Sequence, residues 1–572
     1  MKSAVRTGTG LLLLATFAAH ASVHEHLFAN GFDIPADAPA NAKEAARFLT
    51  QATFGPTPAD IAHLLAEGYG EWIDEQLGRT ATLSEPTVES VINARIAGGQ
   101  SVGNTQRLNR WFWQAAYAPD QLRQRMAWAL SQIFVVSDQG SGKYAVALSQ
   151  YQDMLALDAF GLYRQLLGDV TWHPMMGRYL NAYHNLKPSA TTSPDENYAR
   201  EVMQLFSIGL ILRNPDFSPV LSGGMPQPTY DQTVITHTAK VFTGFTWSDA
   251  PLIPPNFYGG GLSFAAQYAP MACWGLELSP PLATNKLQHD ASGDDGTTNT
   301  PKTVLGGLTI PANQSCAADV GDELDIIAAH PNVAPFISRQ LIQRFVTSNP
   351  SPAYIQRIAT VFDNTSGDLG DVIKAILLDS EARNPPPASA ASYGKLREPI
   401  LRLTAVWRAF NAQAPAPDAY GEIEMLGTTS FLSAYGQAPL QSPTVFNFYL
   451  PDYQQPGTFA DNGLYSPEFQ ITNESTTYSV ANSYYAFTEG AYQGMTSPPT
   501  DRPLIDLSSL TVDAANPAAM IATINAKLLY GSMSASMQTA LDTLIAALGT
   551  DQEKAWSSIY VTMLSPEYAA QR

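Results

Sequence analysis

The sequence predicts a mainly α-helical protein: one multi-helix body with a long irregular excursion closed by a disulfide, and few strands. Helical periodicity is the first observation, since residues 120–136 place Leu122, Met126 and Ile133 on one side of a helix. Helix-start signals are the second, as where Pro58-Ala59-Asp60 opens a segment. Strand signals are few, so helices packed on helices are the expected architecture.

The predicted elements follow in order along the chain. Helices joined by short loops occupy residues 41–246, and a stretch rich in Gly, Pro, Asn, Thr and Ser forms an excursion over 247–322. Residues 323–572 return to helices, interrupted by an aromatic loop region at 431–469. No clean linker divides residues 41–572, so we expect them to form one domain. The later helical segments are predicted at 323–329, 335–347, 352–362, 368–378 and 395–410, with two or three more between 518 and 568.

The first residues have the three parts of a secretory signal peptide. A cationic start precedes an apolar run over residues 11–17 and a small-residue site ending at Ala21. We expect cleavage after Ala21, followed by a flexible mature N-terminus over residues 22–40. No later stretch approaches the roughly 18 apolar residues that span a bilayer. The sequence thus predicts a secreted or periplasmic protein without a membrane span.

The acidic balance of the chain argues against nucleic acid as a partner. Asp and Glu number 51 against 32 Lys and Arg, for a formal net charge of −19. A polyanion is repelled by such a charge unless a basic cluster overrides it, and no run of bases is long enough.

Cys273 and Cys316 are the only cysteines of the chain, and both lie in the excursion. In an oxidising compartment we expect them to pair. A bridge across this separation is worth roughly 4 kcal/mol in the chain-entropy model. Two unrelated buried thiols are the alternative.

The stretch with the most polar groups on one helix runs from Ser193 to Leu205. Ser193, Pro194 and Glu196 fit a capping box with proline in the first turn, and Gly209 supplies a stop. The stripe that this helix predicts on one face consists of Asn197, Arg200, Glu201 and Gln204, with Glu196 beside Arg200.

Two interpretations of this stripe stay open. A buried Arg200 between two carboxylates could leave Glu196 or Glu201 with a pKa suited to proton transfer, with Asn197 in the same active site. The same residues could instead form a structural ion network that organises a helical core.

His289 and Asp290 lie in the excursion, with Lys302 further along. They could join the polar stripe as a general base, its orienting carboxylate and a substrate-binding cation. The acids of the segment, which include Asp294 and Asp295, could instead hold calcium. A solvated, turn-rich loop is the third interpretation.

No cofactor is predicted, and a divalent metal at the start of the mature chain is the alternative to a coincidence of sequence there. After cleavage at Ala21 the chain begins Ser22-Val23-His24, and a free amine, two amides and His24 can form a square-planar copper or nickel site. His173, His184, His237 and His330 are scattered and match no zinc motif. No GxSxG or complete P-loop sequence occurs either.

The aromatic loop carries Phe446, Phe448, Tyr449 and Tyr453. Exposed rings there could stack on sugar faces and bind substrate, whereas buried rings would anchor the loop to the helices.

Several segments resemble the bacterial family called domain of unknown function 1800. They are residues 46–56, 196–201, 241–245, 289–290 with Lys302, 377–383 and the ending 565–568. The resemblance implies an exported, mostly helical protein, often encoded beside an exported sulfatase-like family, and it implies no reaction. Gln204 stands where family members commonly carry a second glutamate.

These observations predict a protein that binds or organises an envelope or extracellular component, such as a polysaccharide, with a co-exported sulfatase-like partner. The alternative is a hydrolase or lyase. It would use Glu196 or Glu201 as acid and base, Arg200 to stabilise charge and His289 as a helper.

Overall fold

Helices dominate the chain, as predicted. The computed structural model describes residues 37–138, 144–251, 256–276, 287–292, 300–384, 386, 390 and 392–572. The helices of the first half are α1 Ala42–Ala52, α2 Pro58–Glu67, α3 Tyr69–Gly78, α4 Glu85–Ala97, α5 Asn104–Tyr117, α6 Gln121–Ser131, α7 Ala145–Leu157, α8 Tyr163–Trp172, α9 Pro174–Tyr179, α10 Asn197–Gln204, α11 Gln232–Val241 and α12 Phe264–Tyr268. Those of the second half are α13 Cys316–Ala328, α14 Val333–Phe345, α15 Pro352–Asn364, α16 Leu369–Leu378, α17 Ser380–Arg383, α18 Pro399–Ala409, α19 Phe431–Tyr435, α20 Thr458–Asp461, α21 Glu474–Ala486, α22 Ser508–Thr511, α23 Pro517–Ile524, α24 Ala535–Ala547, α25 Asp551–Leu564 and α26 Pro566–Ala569.

The strands of the described residues are short antiparallel pairs. They are β1 Leu221–Ser222 with β2 Met225–Pro226, β3 Phe245–Thr246 with β4 Ala272–Cys273, β5 Lys302–Thr303 with β6 Thr309–Ile310, and β7 Lys395–Leu396 with β8 Ala570–Gln571. None extends into a larger sheet among these residues, so the mainly α-helical fold class is confirmed.

Two large apolar cores, and a small cluster between α4, α7 and α12, hold the helices of the described residues together. The first is built from α1–α3, α6–α11 and α13–α17, and the second from α5, α18, α19 and α21–α26. Helix α6 contributes to both, since Leu122 and Met126 face the first core while Trp128 packs in the second. The apolar periodicity of α6 in the sequence therefore reflects burial against both cores.

Capping and pairing explain where the observed helices differ from the predicted ones. Helix α2 begins at Pro58 as predicted, with Thr57 as its cap. Helix α13 begins at Cys316 rather than at residue 323, because the Ser315 side chain accepts a hydrogen bond from Ala318 N. Helix α18 begins at Pro399 rather than at residue 395, because β7 pairs with the C-terminal β8.

The predicted disulfide between Cys273 and Cys316 is confirmed. It joins β4 to the first residue of α13 and so closes the excursion onto the helical body. Within the described residues, no helix combines the length and apolar character that crossing a bilayer requires.

Candidate functional site

A cleft of about 420 Å³ opens beside the C-terminal end of α10. Its size falls in the range of about 300–1,000 Å³ that is typical of small-molecule sites. The end of α10 and the segment after it form one wall, and α14 and the loop 445–452 form the others. The polar and aromatic residues lining this cleft include Gln132, Gln204, Arg213, Phe217, Phe336, Arg339, Gln340, Arg344, Phe446, Asn447, Tyr449, Asp452 and Tyr465.

Stacking on aromatic rings holds the arginines of the cleft in place. The guanidinium carbons of Arg213 and Arg339 lie 4.4 and 4.8 Å from the centre of the Phe217 ring. That of Arg339 also lies 4.8 Å from the Tyr465 ring, and Arg344 stacks on Tyr449 at 4.7 Å. Arg213 Nη1 donates to Phe217 O at 3.2 Å, and Arg339 Nη2 donates to Pro451 O at 3.3 Å. Stacking leaves the remaining N–H groups of each guanidinium clear of the ring, where they can donate to a ligand.

These arginines have no carboxylate partner at ion-pair distance within the part of the chain that the structure describes. Asp452 is the one carboxylate that lines the cleft. Burial lowers the pKa of Arg339 to about 10, opposed by Tyr465 and Asp452, so its side chain is charged at neutral pH. The cleft therefore has a positive charge in an acidic protein.

Three buried polar atoms of the cleft residues have no hydrogen-bond partner among the described residues: Gln340 Nε2, Arg344 Nε and Asn447 Oδ1. Leaving such atoms unsatisfied typically costs about 1–3 kcal/mol each. The protein encloses each of these atoms, so they add polarity to the cleft wall rather than a surface that a ligand touches.

The three aromatic residues predicted to bind substrate differ in whether they line the cleft. Phe446 is 44% exposed and Tyr449 is buried, and both line the cleft. Phe448 is buried and stacks near Trp128 at 6.3 Å, so its ring packs in the second core. The loop is thus partly an anchor and partly an exposed aromatic surface.

The polar helix is shorter than predicted, and the predicted capping box is wrong. Helix α10 begins at Asn197, and the side chain of Glu196 caps nothing. The Asn185 side chain bonds the backbone N–H and C=O of Asp195, which keeps the preceding residues out of the helix. Asp195 Oδ1 instead accepts a hydrogen bond from Asn197 N.

Arg200 is not buried between two carboxylates, which corrects that prediction. Its side chain is 40% exposed and pairs with Glu196 at 2.6 Å. Gln232 and Thr236 of α11 also donate to Glu196. Burial alone would raise the pKa of Glu196, but these hydrogen bonds and Arg200 hold it below its usual value.

Glu201 lies one turn before Gln204 and is only 8% exposed. Its Oε2 has no hydrogen-bond partner among the described residues. Burial raises the pKa of Glu201, and the charge of Arg200 offsets part of this effect. Asn197 is half-buried at the start of the same helix.

His289 and Lys302 meet in a separate, fully buried cluster around Asp319. The distance from His289 Nε2 to Asp319 Oδ2 is 3.0 Å, and Lys302 Nζ donates to the same oxygen at 2.5 Å. Burial raises the pKa of Asp319, but the His289 hydrogen bond and the Lys302 charge outweigh it and leave the pKa below its usual value. Asp290 is also buried, and its Oδ1 accepts from Ser292.

The two clusters adjoin different faces of α11. Gln232 and Thr236 contact Glu196, whereas Thr238 Oγ1 donates to Glu323 Oε1 at 2.9 Å beside Asp319. His289 and Lys302 thus share contacts with Asp319, whereas Arg200 contacts Glu196 in a separate cluster.

Glu323 makes the stability of this buried cluster depend on pH. Burial raises the pKa of Glu323 from 4.5 to about 7, opposed by the Thr238 hydrogen bond. The native state therefore holds a proton that the unfolded chain has lost, and this stabilisation is complete below pH 4.5 and disappears as the pH rises through 7.

We expect the free energy of unfolding of the wild type to fall by about 3 kcal/mol relative to Glu323→Gln between about pH 4.5 and pH 8. Urea unfolding across that range measures the difference. Parallel curves for the two proteins would contradict the raised pKa.

One grouping of metal-binding residue types stands out in the described chain. One side-chain atom each of Cys273, His289 and Cys316 lies within 4.8 Å of the others, although the two sulfurs are bonded to each other here. His24, Asp294 and Asp295, named above as metal ligands, lie outside the described residues.

The functional residues that were not predicted from the sequence are Arg213, Arg339, Arg344, Asp319 and Glu323. The available signal was α14, where Arg339 and Arg344 occur in a segment with no acidic residue. Cations on a buried helix without local partners indicate a tertiary anion or a ligand.

The fold and the cleft together define a mainly helical protein with an arginine-lined cleft and a disulfide-closed excursion. The chain belongs to the family described as protein of unknown function (DUF1800), whose model matches residues 47–570. The resemblance read from the short segments is therefore confirmed. No curated protein and no solved structure matches the chain.

Proposed function

We propose that the protein binds a short acidic saccharide segment in the arginine-lined cleft. The observation that carries this proposal is the presence of Arg213 and Arg339 on the cleft wall without a carboxylate at ion-pair distance in the described chain. Guanidinium groups bind carboxylates and sulfates through paired, charge-assisted hydrogen bonds.

Aromatic and amide side chains favour a saccharide over a simple anion. Phe446 and Tyr465 are 44% and 36% exposed at the cleft, and exposed rings can stack on sugar faces. Gln204 lines the cleft and is half-buried, and its amide offers a donor and an acceptor that match sugar hydroxyl groups. A uronate or a sulfated sugar combines an oxyanion, hydroxyl groups and an apolar ring face.

The net charge of −19 limits the length of the ligand rather than excluding it. Screening at physiological ionic strength acts over about 8 Å, so distant acidic groups weaken binding of a few charged sugars only slightly. A long polyanion would extend past the cleft onto acidic surface. The ligand expected in the cleft is therefore a chain end or a short segment.

The predicted export of the protein and its predicted co-exported partner are both compatible with an acidic saccharide as the ligand. An envelope or extracellular polysaccharide is the source that export would make available. A sulfatase-like partner acts on sulfate esters, and a sulfate is an oxyanion that Arg213 and Arg339 could bind. This protein and its sulfatase-like partner would thus act on the same polysaccharide.

Titration calorimetry of the full chain with a hexagalacturonate and with its carboxyl-reduced, neutral analogue tests the proposal. We expect binding of the acidic sugar alone and a loss of at least about tenfold in affinity in Arg213→Ala, since a hydrogen bond to a charged group contributes about 1.5–3 kcal/mol. Arg213 is chosen because it is only half-buried.

Arg164→Ala is the matched control, because Arg164 pairs with Asp325 away from the cleft. Equal affinity for the acidic and neutral sugars, or equal losses in the two arginine variants, would contradict the proposal. Chromatography of the recovered sugar distinguishes binding from turnover: intact hexasaccharide is expected, whereas shortened products would favour the hydrolase or lyase alternative.

A further inference from the structure

The buried disulfide lies against the ring of His289. Cys273, Cys316 and His289 are 6%, 0% and 3% exposed, and their ligand atoms lie within 4.8 Å of one another. The carbonyl oxygen of Thr243 sits beside all three. It is 3.1 Å from His289 Nδ1, 3.5 Å from Cys273 Sγ and 3.8 Å from Cys316 Sγ.

These separations match the edges of a tetrahedral zinc site. Zinc bonds of about 2.3 Å to sulfur and 2.0–2.2 Å to nitrogen and oxygen require ligand atoms roughly 3.4–3.8 Å apart. The three distances from Thr243 O agree with that requirement to within a few tenths of an ångström. Of the other three edges, the two from His289 to the sulfurs are no longer than 4.8 Å, and the one between the covalently bonded sulfurs must lengthen.

The far side of the His289 ring is fixed as in a metal-binding histidine. Nε2 faces Asp319 Oδ2 at 3.0 Å, and Lys302 and Gln314 donate hydrogen bonds to the same carboxylate. A carboxylate on one ring nitrogen orients the other toward a metal and raises its basicity. Nδ1 is the nitrogen that this arrangement leaves on the side of the Thr243 carbonyl and the sulfurs.

The position of Cys316 favours an anionic sulfur. It is the first residue of α13, a helix of 13 residues, where the positive end of the helix dipole stabilises a thiolate. Cys273 is in β4, whose pairing with β3 holds it close to Thr243. Both cysteines would remain near Thr243 if the bond between them were reduced.

We propose that reduction of the Cys273–Cys316 disulfide converts this cluster into a site for a thiophilic divalent cation, with zinc as the fitting ion. A dithiol supplies two electrons and two protons, so the cystine becomes two thiols and the dithiol becomes a disulfide. Zinc binding then releases one proton from each thiol and the Nδ1 proton that His289 donates to the Thr243 carbonyl oxygen. The two thiolates and His289 Nδ1 ligate the ion, with Thr243 O as the fourth ligand, and Nε2 keeps its proton toward Asp319.

Cobalt titration of the full chain tests this proposal independently of saccharide binding. The protein is reduced under argon with a dithiol, desalted and titrated with Co²⁺, while an oxidised sample is treated in parallel. We expect one Co²⁺ per reduced chain, with the thiolate charge-transfer and ligand-field bands of a tetrahedral site, and no such bands for the oxidised chain. Added Zn²⁺ should displace Co²⁺ and abolish the bands.

His289→Ala should weaken Zn²⁺ binding by the reduced chain at least about tenfold. Removing a residue that only hydrogen-bonds to a metal ligand already costs about 10–100-fold in affinity, and His289 is itself a proposed ligand. His63→Gln is the control, because His63 pairs with Glu75 on the surface. A reduced, folded chain that binds no Co²⁺, or binds it with octahedral bands alone, would overturn the proposal. If reduction unfolds the chain, recovery of the native circular dichroism spectrum with Zn²⁺ supports the site, and lack of recovery contradicts it.

Discussion

Glu398→Gln should lower the free energy of unfolding by about 3–5 kcal/mol, because it leaves the buried Arg125 without its largest compensating charge. Glu398 is fully buried, at the N-terminus of α18. Burial alone would raise its pKa, but the charges of Arg125, Lys395 and Arg344 outweigh this effect and hold the pKa below its usual value.

Glu398 also accepts several hydrogen bonds, and the amide of a glutamine at this position could not accept all of them. Its donors are Trp128 Nε1 at 3.2 Å, Gln132 Nε2 at 2.9 Å, Gln437 Nε2 at 2.6 Å and Tyr449 OH at 2.8 Å. The new amide group would place donors against donors in a buried site. Tyr449 lines the cleft, so the same substitution should also weaken saccharide binding.

Urea unfolding measures the effect of Glu398→Gln. Glu474→Gln serves as the control, because Glu474 lies on the surface of the first turn of α21 and should change stability by less than about 0.5 kcal/mol. Equal stabilities of the two variants would show that Glu398 does not compensate the cations around it.

Asp319→Asn in the oxidised protein should cost a similar amount, about 3–5 kcal/mol, because Lys302 would keep a buried charge without its partner. Both side chains are completely buried and their atoms are 2.5 Å apart. Asp319 also receives hydrogen bonds from His289 and Gln314. The loss should appear as a lower midpoint of urea unfolding with an unchanged slope.

The double variant Asp319→Asn, Lys302→Met separates the ion pair from the packing around it. Removing both charges should cost less than the sum of the two single substitutions, with a coupling free energy within the range of about 0.5–3 kcal/mol found for contacting residues. Additive losses would indicate that the pair contributes only through packing.

The helical class and the disulfide could be predicted because both depend on local information. Periodic apolar residues located the segments now seen as α6, α15 and α16, and two cysteines in one excursion allow a single pairing. The start of α10 could not be predicted. Ser193 to Glu196 has the composition of a helix cap, but hydrogen bonds from the distant Asn185 side chain hold the Asp195 backbone outside the helix.

The arginine-lined cleft could not be predicted because its charges come from distant parts of the chain. Arg213 follows α10, Arg339 lies on α14 and Tyr465 lies in the later aromatic region. Each residue alone is unremarkable in sequence. The part predicted most nearly was the aromatic loop, where Phe446 and Tyr449 do line the cleft and Phe448 does not.

The burial of the residues proposed as catalytic could not be predicted from the sequence either. Arg200 and Glu201 lie on α10 and Glu196 directly precedes it, so their proximity followed from spacing, but their burial did not. Glu201 is buried while Arg200 remains 40% exposed, since only part of the stripe faces the core. Their catalytic role stays a prediction.

A crystal structure of the protein with a bound hexagalacturonate tests the central claim most directly. We predict a sugar carboxylate within hydrogen-bond distance of the guanidinium groups of Arg213 and Arg339, and a sugar ring against Phe446 or Tyr465. Sugar bound at another surface, with the cleft unchanged, would contradict acidic-saccharide binding at this site.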